Sequence, residues 1–435
     1  TFFFFFFVNG RAQGVETLTL EDCLRIGIDN NLSLESKRRE IQKSKYGVSE
    51  NRARLLPQIS AVAGYSNNFD PPVSVTDGSS YGVPYNITQT LQHSANAGLE
   101  MQMPLFNQTL YTSMSIAKVV EEISRLSYGK AREDIILQIS KMYYLGQVTA
   151  EQIVLIKANI TRLEELRDIT RAFFDNGMSM EVDLKRVNIN LENLKVQYDN
   201  AQAMMKQQLN MLKYIMDYPA EKEIALTPVN TDSITTVALT GLSENIYELQ
   251  LSQSQVQLAE RQKKIITNGY IPSLSLTGSW RYAAYTDKGY HWFHSGPSNQ
   301  WFRSYGVGLT LRIPIFDGLD KTYKIKKAMI DIENKRLAWE DARKNLQTQY
   351  LNAVNDLMNN QRNFKKQKDN YLLAEDVYAV TSDRYREGIA SMTEVLQDEM
   401  QMSEAQNNYI SAHYNYRVTN LMLLKLTGQI ESLVK

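Results

Sequence analysis

The sequence predicts a mainly α-helical fold with a smaller β component of the membrane type, built from two copies of one plan. Three observations lead to this fold class. Two proline-free runs of roughly 65–70 residues carry the heptad spacing of coiled coils. Four segments alternate apolar and polar residues as strands do. The same landmarks then occur in the same order in both halves of the chain.

The composition limits the classes of function. Lys+Arg and Asp+Glu both number 48 among 435 residues, so the formal net charge is zero and no basic excess is available to bind nucleic acid. The single cysteine, Cys23, excludes a disulfide framework and a multi-thiolate metal site, and its neighbours predict an ordinary helix-face residue. No stretch approaches about 18 consecutive apolar residues, so the sequence predicts no membrane-spanning helix.

The first residues have the pattern of a secretory signal peptide. Residues 2–7 are all Phe, and small residues follow them, as they do near a signal cleavage site. A cloning scar or a buried apolar end would produce the same pattern. We expect residues 1–14 to be the remnant of a signal peptide.

The chain repeats one arrangement about 210 residues apart. The segment at 103–107 (MPLFN) returns at 313–317 (IPIFD), and the segment at 174–177 (FDNG) returns at 385–388 (YREG). Because several landmarks recur in order, chance is a poor explanation. The predicted divisions are repeat 1 at 15–216, an inter-repeat segment at 217–240 and repeat 2 at 241–435.

Each repeat contains two segments with a period of two residues. The predicted strands lie at about 58–66, 94–103, 273–282 and 304–313. Each would have one apolar and one polar face, and the length fits strands of an outer-membrane barrel. A soluble sandwich with one solvated face shows the same alternation, and the signal-like start favours the membrane.

Four strands cannot enclose a lumen, and an open sheet edge cannot face lipid, so several chains would have to share one barrel. Two chains would give eight strands with a filled interior, and three would give twelve with room for an aqueous channel. The residues alone leave both numbers open. The side chains expected to face the water are Glu100, Gln102, Arg281 and Arg312.

The proline-free runs begin near residues 108 and 319 and would each be about 100 Å long as helices. A seam in the second run has an average spacing of about 3.5 residues, which predicts left-handed supercoiling. It consists of Leu346, Tyr350, Ala353, Leu357, Phe364, Tyr371, Ala374, Tyr378 and Tyr385. Each run ends at a glycine, Gly177 or Gly388, and a returning helix follows. Each repeat is thus predicted to contain a helix (18–55 in the first), two strands, a very long helix, a turn and a returning helix.

An ordered set of residues now resembles a family. Its members are the segments at 18–22 (LTLED), 30–31 (NN), 54–57 (RLLP) and 314–318 (PIFDG), and Gly388 ahead of Glu394. Over residues 17–430 the chain resembles the outer-membrane efflux proteins, the TolC-like outer-membrane factors. The resemblance implies a homotrimer with a shared 12-stranded barrel, four strands per chain, and a long coiled-coil α-helical barrel. It also implies an equatorial domain built from about 217–240 and 427–435.

The same resemblance implies a function as the passive exit duct of a tripartite efflux or secretion system. The implied partners are outer-membrane lipid, a periplasmic adaptor and an inner-membrane transporter. The implied location is the outer membrane of a Gram-negative-type bacterium, with a long periplasmic extension. The alternative is a coiled-coil structural or adhesive cell-surface protein, although a rod needs no matched strand pairs in its two halves. The exported substrate is not specified by the sequence.

The helical turns would carry both the adaptor-docking surface, at Gly177 and Gly388, and the gate. The implied gate residues are Asp183, Tyr385, Glu394 and Gln397. Glu394 takes the position of a first acidic ring, and Gln397 stands where the family has a second acid. From the residues alone, Glu394 and Asp183 are also simply favourable at a helix N-terminus.

The resemblance also implies that Tyr385 is tethered to Asp183 by a hydrogen bond. Ala390 occupies the position where the family often has an arginine that links two helices. An ion-pair latch would therefore need another cation, such as Arg386.

No catalytic or cofactor-binding motif is present in the sequence. It has no phosphate-cradling glycine loop and no nucleophile elbow around a serine. His291 and His294 lie in a loop without cysteine and with few acids, which does not favour a metal site. We therefore expect no enzyme activity, no cofactor and no bound metal.

Overall fold

The structure is a computed structural model that describes residues 16–228, 241–286 and 301–434, apart from 72, 78, 80, 81, 83 and 90. The expected signal remnant at 1–14, half of the inter-repeat segment and the loop with His291 and His294 lie outside the described residues.

The described chain is mainly helical with a small β component, which confirms the predicted fold class. The first repeat contains β1 (Glu16–Leu18), α1 (Leu20–Asn30), α2 (Leu32–Ala53), β2 (Gln58–Asn67), β3 (Val73–Asp77), β4 (Tyr85–Gln89), β5 (His93–Phe106), α3 (Gln108–Asp175) and α4 (Glu181–Met216). Further along the chain follow β6 (Ile224–Leu226), α5 (Tyr247–Asn268), β7 (Ser273–Thr286), β8 (Trp301–Arg312), α6 (Asp320–Arg386), α7 (Met392–Leu426) and a 3-10 helix (Ile430–Val434).

Strands from both repeats form one antiparallel sheet in the order β2-β5-β7-β8. The pairing of β5 with β7 joins the two repeats at the centre of the sheet, and β2 and β8 are its edges. The four strands lie where the alternation placed them, and most extend a few residues further. A separate two-stranded hairpin, β3 with β4, lies between β2 and β5 in the chain and was not predicted from the sequence.

The register collects the apolar residues of all four strands on one face of this sheet. One row across the strands runs Ile59, Met101, Gly278, Val307, and the next runs Ala61, Leu99, Trp280, Tyr305. On the edge strand β8 this face is bare, because Val307 is 80% and Leu309 67% exposed.

The opposite face of the sheet is polar. The register places Glu100 opposite Ser279, and Gln102 opposite Thr277. Arg281 lies on the same face and forms an ion pair with Glu100 at 2.5 Å. The side chains that the alternation assigned to water therefore share one face.

The described helices include none that is both long enough and apolar enough to cross a membrane.

Two compact units are formed, and each takes residues from both repeats. One comprises residues up to 40, 124–253 and those from 338 onward, and the other comprises 41–123 and 254–337. The second unit contains the four-stranded sheet together with the adjoining ends of α2, α3, α5 and α6.

In the first unit, β1 pairs in parallel with β6 from the inter-repeat segment. The C-terminal 3-10 helix adds Ile430 to the same core, in which Ile139, Met216 and Cys23 are fully buried. Burial raises the pKa of the Cys23 thiol to about 12, so this cysteine is a core residue and not a reactive thiol.

The predicted seam of α6 is the side of that helix that packs inside the chain. Leu346, Tyr350 and Leu357 pack with Leu423 and Leu426 of α7. Further along, Tyr378 and Tyr385 are buried, and the remaining seam residues are buried or partly buried. The seam predicted for this helix is therefore confirmed as its buried side.

The prediction of a single helix over 18–55 was wrong, because Asn31 divides it into α1 and α2. The Asn31 side-chain oxygen accepts hydrogen bonds from the backbone N–H groups of Ser33 and Leu34, at 2.9 and 3.1 Å. Its amide nitrogen donates to the carbonyl of Ile215 on α4, at 2.8 Å. Asn31 thus caps α2 and anchors the break to a neighbouring helix.

A buried carboxyl lies near the C-terminal helix in this unit. Burial raises the pKa of Glu133 to about 7; Lys425 opposes the rise, and Glu431 and Asp134 add to it. The neighbouring acids are themselves paired, Glu431 with Arg132 at 2.7 Å and Asp134 with Lys425. Glu133 is therefore the acid in this group whose charge is least compensated.

Replacing Glu133 with Gln should change how stability depends on pH. A carboxyl with a raised pKa holds its proton more tightly in the folded state, so wild type loses stability as the pH rises from about 4.5 to about 7. We expect Glu133→Gln to be more stable than wild type at pH 8 by about 2 to 3 kcal/mol, with little gain at pH 4.5. Thermal midpoints of the helical circular dichroism signal at both pH values check this. Glu122→Gln, at an exposed position of the same helix, should leave the profile unchanged, and an equal gain at both pH values would contradict the assignment.

Candidate functional site

The candidate site is built around two helix-to-helix turns with the same backbone design. We call them the tip turns: residues 176–180 between α3 and α4, and 387–391 between α6 and α7. Gly177 and Gly388 have φ of +72° and +77°, the left-handed region that favours glycine. In the first turn the Met178 N–H donates to the Phe173 carbonyl at 2.7 Å, and in the second the Ile389 N–H donates to the Arg384 carbonyl at 2.8 Å. Both are Schellman endings.

The helices that leave the tip turns begin differently. At α7, Ser391 forms a capping box with Glu394: the Ser391 hydroxyl accepts from the Glu394 N–H at 3.3 Å, and the Glu394 carboxylate accepts from the Ser391 N–H at 3.4 Å. At α4, the N-cap is Met180, whose side chain makes no capping hydrogen bond. Glu394 therefore has a local structural role while its side chain stays exposed.

Tyr385 has a different partner from the one we expected. Its hydroxyl donates to the Thr170 hydroxyl on α3 at 3.4 Å, and its ring packs 5.7 Å from that of Phe173. Asp183 is instead paired with Arg186 on its own helix at 3.4 Å. Burial raises the pKa of the Tyr385 phenol above its ordinary value. The expected Tyr385–Asp183 hydrogen bond was wrong.

Two contacts near the tip turns link helices of the two repeats. The Arg186 guanidinium on α4 donates to the Thr393 hydroxyl on α7 at 3.3 Å. The Arg386 guanidinium on α6 pairs with Glu165 on α3 at 3.5 Å. The first link was missed, although Arg186 follows Asp183 by three residues and so shares its helix face. The second link uses Arg386, the alternative cation that we expected because Ala390 replaces the arginine of the family.

The predicted gate residues surround one apolar cluster. Tyr385 belongs to it. Asp183 and Glu394 lie in the first turns of α4 and α7, Gln397 lies in the second turn of α7, and the inner faces of both helices contribute to the cluster. Glu394 and Gln397 are both exposed and lie three residues apart on one face of α7. The buried members of this tip cluster are Leu163, Leu166, Val187, Leu191, Leu194, Tyr378, Tyr385, Ala390, Met392, Val395, Leu396 and Met402.

A polar cluster that was not predicted from the sequence lies beside the tip cluster. Arg162 pairs with Glu375 across α3 and α6 at 2.7 Å and donates to Asn159 at 3.2 Å. Burial raises the pKa of Glu399 on α7, and Arg162 opposes that rise. A cavity of about 270 Å³ opens here, and its lining includes Arg162, Glu165, Glu375, Tyr378, Ser382 and Arg386.

Two helices carry a second, exposed apolar stripe at heptad spacing. On α4 it runs along Val182, Ile189, Val196, Met204 and Met211. On α6 it runs along Leu351, Met358, Leu372 and Val380. Ile189 on α4 is 61% exposed, and Leu351 on α6 is 53% exposed. Within each stripe, most successive residues are seven or eight positions apart in the sequence. Such rows form a seam that fits another helix.

Comparison with known proteins relates both repeats to one family of proteins. The model of the family described as outer membrane efflux protein matches residues 26–216 and 238–429. The chain is 20% identical over 399 residues to outer membrane protein TolC of Vibrio cholerae, covering 88% of this chain and 84% of that protein. It is 22% identical over 440 residues to the probable efflux pump outer membrane protein TtgC of Pseudomonas putida, covering 97% and 85%.

Solved structures share the fold. The outer membrane protein VceC of Vibrio cholerae superposes with a TM-score of 0.74 at 14% identity, covering 94% of this chain and 96% of that one. The CmeC outer membrane channel of Campylobacter jejuni gives a TM-score of 0.74 at 16% identity, covering 94% and 85%. The predicted TolC-like fold class is confirmed.

Alanine at either tip glycine should destabilise the protein. A Cβ added at Gly177 or Gly388 would meet no atom within 4 Å, so the cost is conformational, about 1 kcal/mol each. We expect Gly177→Ala and Gly388→Ala to lower the thermal midpoint measured by circular dichroism. Gly47→Ala is the matched control: it also meets open space but lies within α2, where alanine should be neutral or stabilising by up to about 1 kcal/mol. Equal effects at all three positions would contradict this.

Proposed function

The chain belongs to the outer membrane efflux protein family, and we propose that it is the passive outer-membrane exit duct of a tripartite efflux or secretion system. The observation that carries the proposal is the four-stranded sheet, which has one apolar face, exposed on β8, one polar face and two open edges. The names of relatives, such as the efflux pump protein TtgC, support the same function. The alternative, a coiled-coil structural or adhesive surface protein, is not favoured, because a rod needs no such sheet.

The open edges support a homotrimer. Within the described chain, β2 pairs with β5 and β8 pairs with β7, and each has a second side without a strand partner. Hydrocarbon offers no hydrogen-bonding groups, so each edge needs a partner inside the membrane. Pairing β8 of one copy with β2 of the next closes a ring. Two copies would give about eight strands with a filled interior, whereas three copies give about twelve strands and leave an aqueous lumen.

The exposed stripes on α4 and α6 support assembly at the helical end. Both stripes lie in the first compact unit, where the inner seams of these helices are already packed. A second apolar seam on a packed helix needs a further helix, and a neighbouring copy supplies one. We propose that these stripes meet between copies and close the helical wall.

The tip turns are proposed to act as both gate and docking surface. Arg186 to Thr393 and Arg386 to Glu165 would hold the helices together in the closed state, in place of the arginine absent at Ala390. The periplasmic adaptor would bind at the turns around Gly177 and Gly388. Exposed apolar side chains at these turns, Met178, Met180 and Ile389, suit such a contact, and an inner-membrane transporter would complete the pump.

Arginine on the two faces of β8 tests the membrane duct. Leu309→Arg places a charge on the proposed lipid face and should cost about 2 to 4 kcal/mol near mid-bilayer. Thr310→Arg, the next residue, places it on the lumen face and should be tolerated. We expect wild type and Thr310→Arg to form heat-modifiable trimers in outer-membrane fractions and to conduct ions in planar bilayers, and Leu309→Arg to yield fewer trimers. A soluble, non-conducting wild-type chain would support the surface-protein alternative.

Glu394→Gln tests the gate. Three copies of this carboxylate near a threefold axis would repel one another and attract cations. We expect the variant to show weaker block of single-channel current by multivalent cations, while Gln at this position preserves the capping box. Glu404→Gln removes a charge further along α7 and should leave the block unchanged. An unchanged block in Glu394→Gln would remove the gating role.

A further inference from the structure

An exposed apolar segment connects β8 to α6. We call residues 313–327, from the end of β8 through the first two turns of α6, the lysine junction. Ile315 is 95% and Phe316 81% exposed, and Ile313 and Leu319 are exposed as well. The segment continues directly from Leu309 and Leu311 of β8, whose side chains lie on the bare face of the sheet. The proposed lipid-facing surface therefore extends past the end of the strand.

Four lysines follow within the first two turns of α6. Lys321 pairs with Asp317 at 3.0 Å, and Lys324 pairs with Asp320 at 2.6 Å. Lys326 and Lys327 are exposed, and no acidic partner approaches them within the part of the chain that the structure describes. The junction thus keeps an excess of positive charge next to exposed apolar side chains.

One side of this helix start is directed away from the rest of its unit. Ala328 and Ile332 are buried, and the Lys321 ammonium lies 5.0 Å from the ring of Tyr270, which follows α5. Tyr323, by contrast, is 63% exposed, and the Lys326 ammonium lies 5.5 Å from its ring. An aromatic ring beside lysines is the usual composition of a membrane–water interface.

The first repeat provides an internal comparison. The equivalent junction passes from β5 into α3 through Leu105 and Phe106, which are also exposed. Its first helical turns, at 108–116, contain no lysine or arginine, and the first cation of α3 is Lys118. The change from strand to helix therefore does not require the charges found in the second repeat.

We propose that the lysine junction binds the anionic phospholipid headgroups of the leaflet that β8 reaches at its carboxyl end. The inference rests on the proposed function, because it needs the sheet to lie in a membrane. Ile315 and Phe316 enter the boundary between headgroups and acyl chains, as apolar side chains of interfacial segments do. Lys324, Lys326 and Lys327 then reach headgroup phosphates, since long lysine side chains extend toward the polar layer.

The test compares two triple variants in purified, membrane-reconstituted protein. The first is Lys324→Gln, Lys326→Gln and Lys327→Gln. The second, a matched control, is Lys344→Gln, Lys365→Gln and Lys366→Gln, which removes three exposed lysines further along α6. Relative affinity for phosphatidylglycerol over phosphatidylethanolamine is measured with spin-labelled lipids in vesicles that contain both.

We expect wild type and the control to prefer phosphatidylglycerol by about tenfold at low salt, and by less at high salt. The junction variant should prefer it by no more than about twofold at low salt. An unchanged preference in the junction variant, or an equal loss in the control, overturns the proposal. Competition by soluble glycerol phosphate would identify a free-phosphate site and overturn it as well. Conductance of the same samples separates the two proposals. A trimer that conducts ions but shows no lipid preference refutes only the proposal that the lysine junction binds lipid. A chain that never forms a conducting trimer refutes the proposed duct and, with it, the lipid-binding role of the junction.

Discussion

The unpaired edges of the four-stranded sheet are the constraint on which the proposed assembly depends. A strand edge exposes backbone N–H and C=O groups, and lipid cannot satisfy them. In the described part of the chain, four strands form this sheet, which has an apolar face and a polar face that holds the Glu100–Arg281 pair. In the proposed trimer, neighbouring copies complete the sheet by adding strands at β2 and β8. A chain with balanced charge and no membrane-spanning helix in its sequence can satisfy this constraint, because few of its residues would contact lipid.

The long helices also leave apolar surface that another helix can cover. Each long helix has one seam that packs inside the chain, such as Leu346 to Tyr385 of α6, and α4 and α6 also carry an exposed stripe. Apolar seams left in water cost free energy in proportion to their area, and this cost supports the proposed association of copies. At the tip turns, the positive-φ glycines reverse the chain, and polar links such as Arg186 to Thr393 join the repeats.

Much of the fold could be predicted because its signals are periodic. The alternation located the four strands, and the heptad spacing located the buried side of α6, since each pattern repeats over many residues. The β3–β4 hairpin was missed, and the other misses were contacts of single side chains. Asn31 ends α1 by bonding to Ile215, and Tyr385 bonds to Thr170 and not to Asp183. Those partners are separated by 184 and 215 residues in the sequence, and spacing carries no information about contacts between distant segments.

The sequence by itself determined the duplication, the mainly helical class, the four strands and the glycine turns, because each follows from local pattern or backbone preference. Only the tertiary structure decided that β5 pairs with β7, so that one sheet unites both repeats, and that each compact unit draws on both. It also decided which charges are compensated: Asp134 and Glu431 have cations, whereas Glu133 is buried among them and its pKa rises to about 7. Such outcomes depend on which distant side chains come together and exclude water, and this is a property of packing rather than of sequence order.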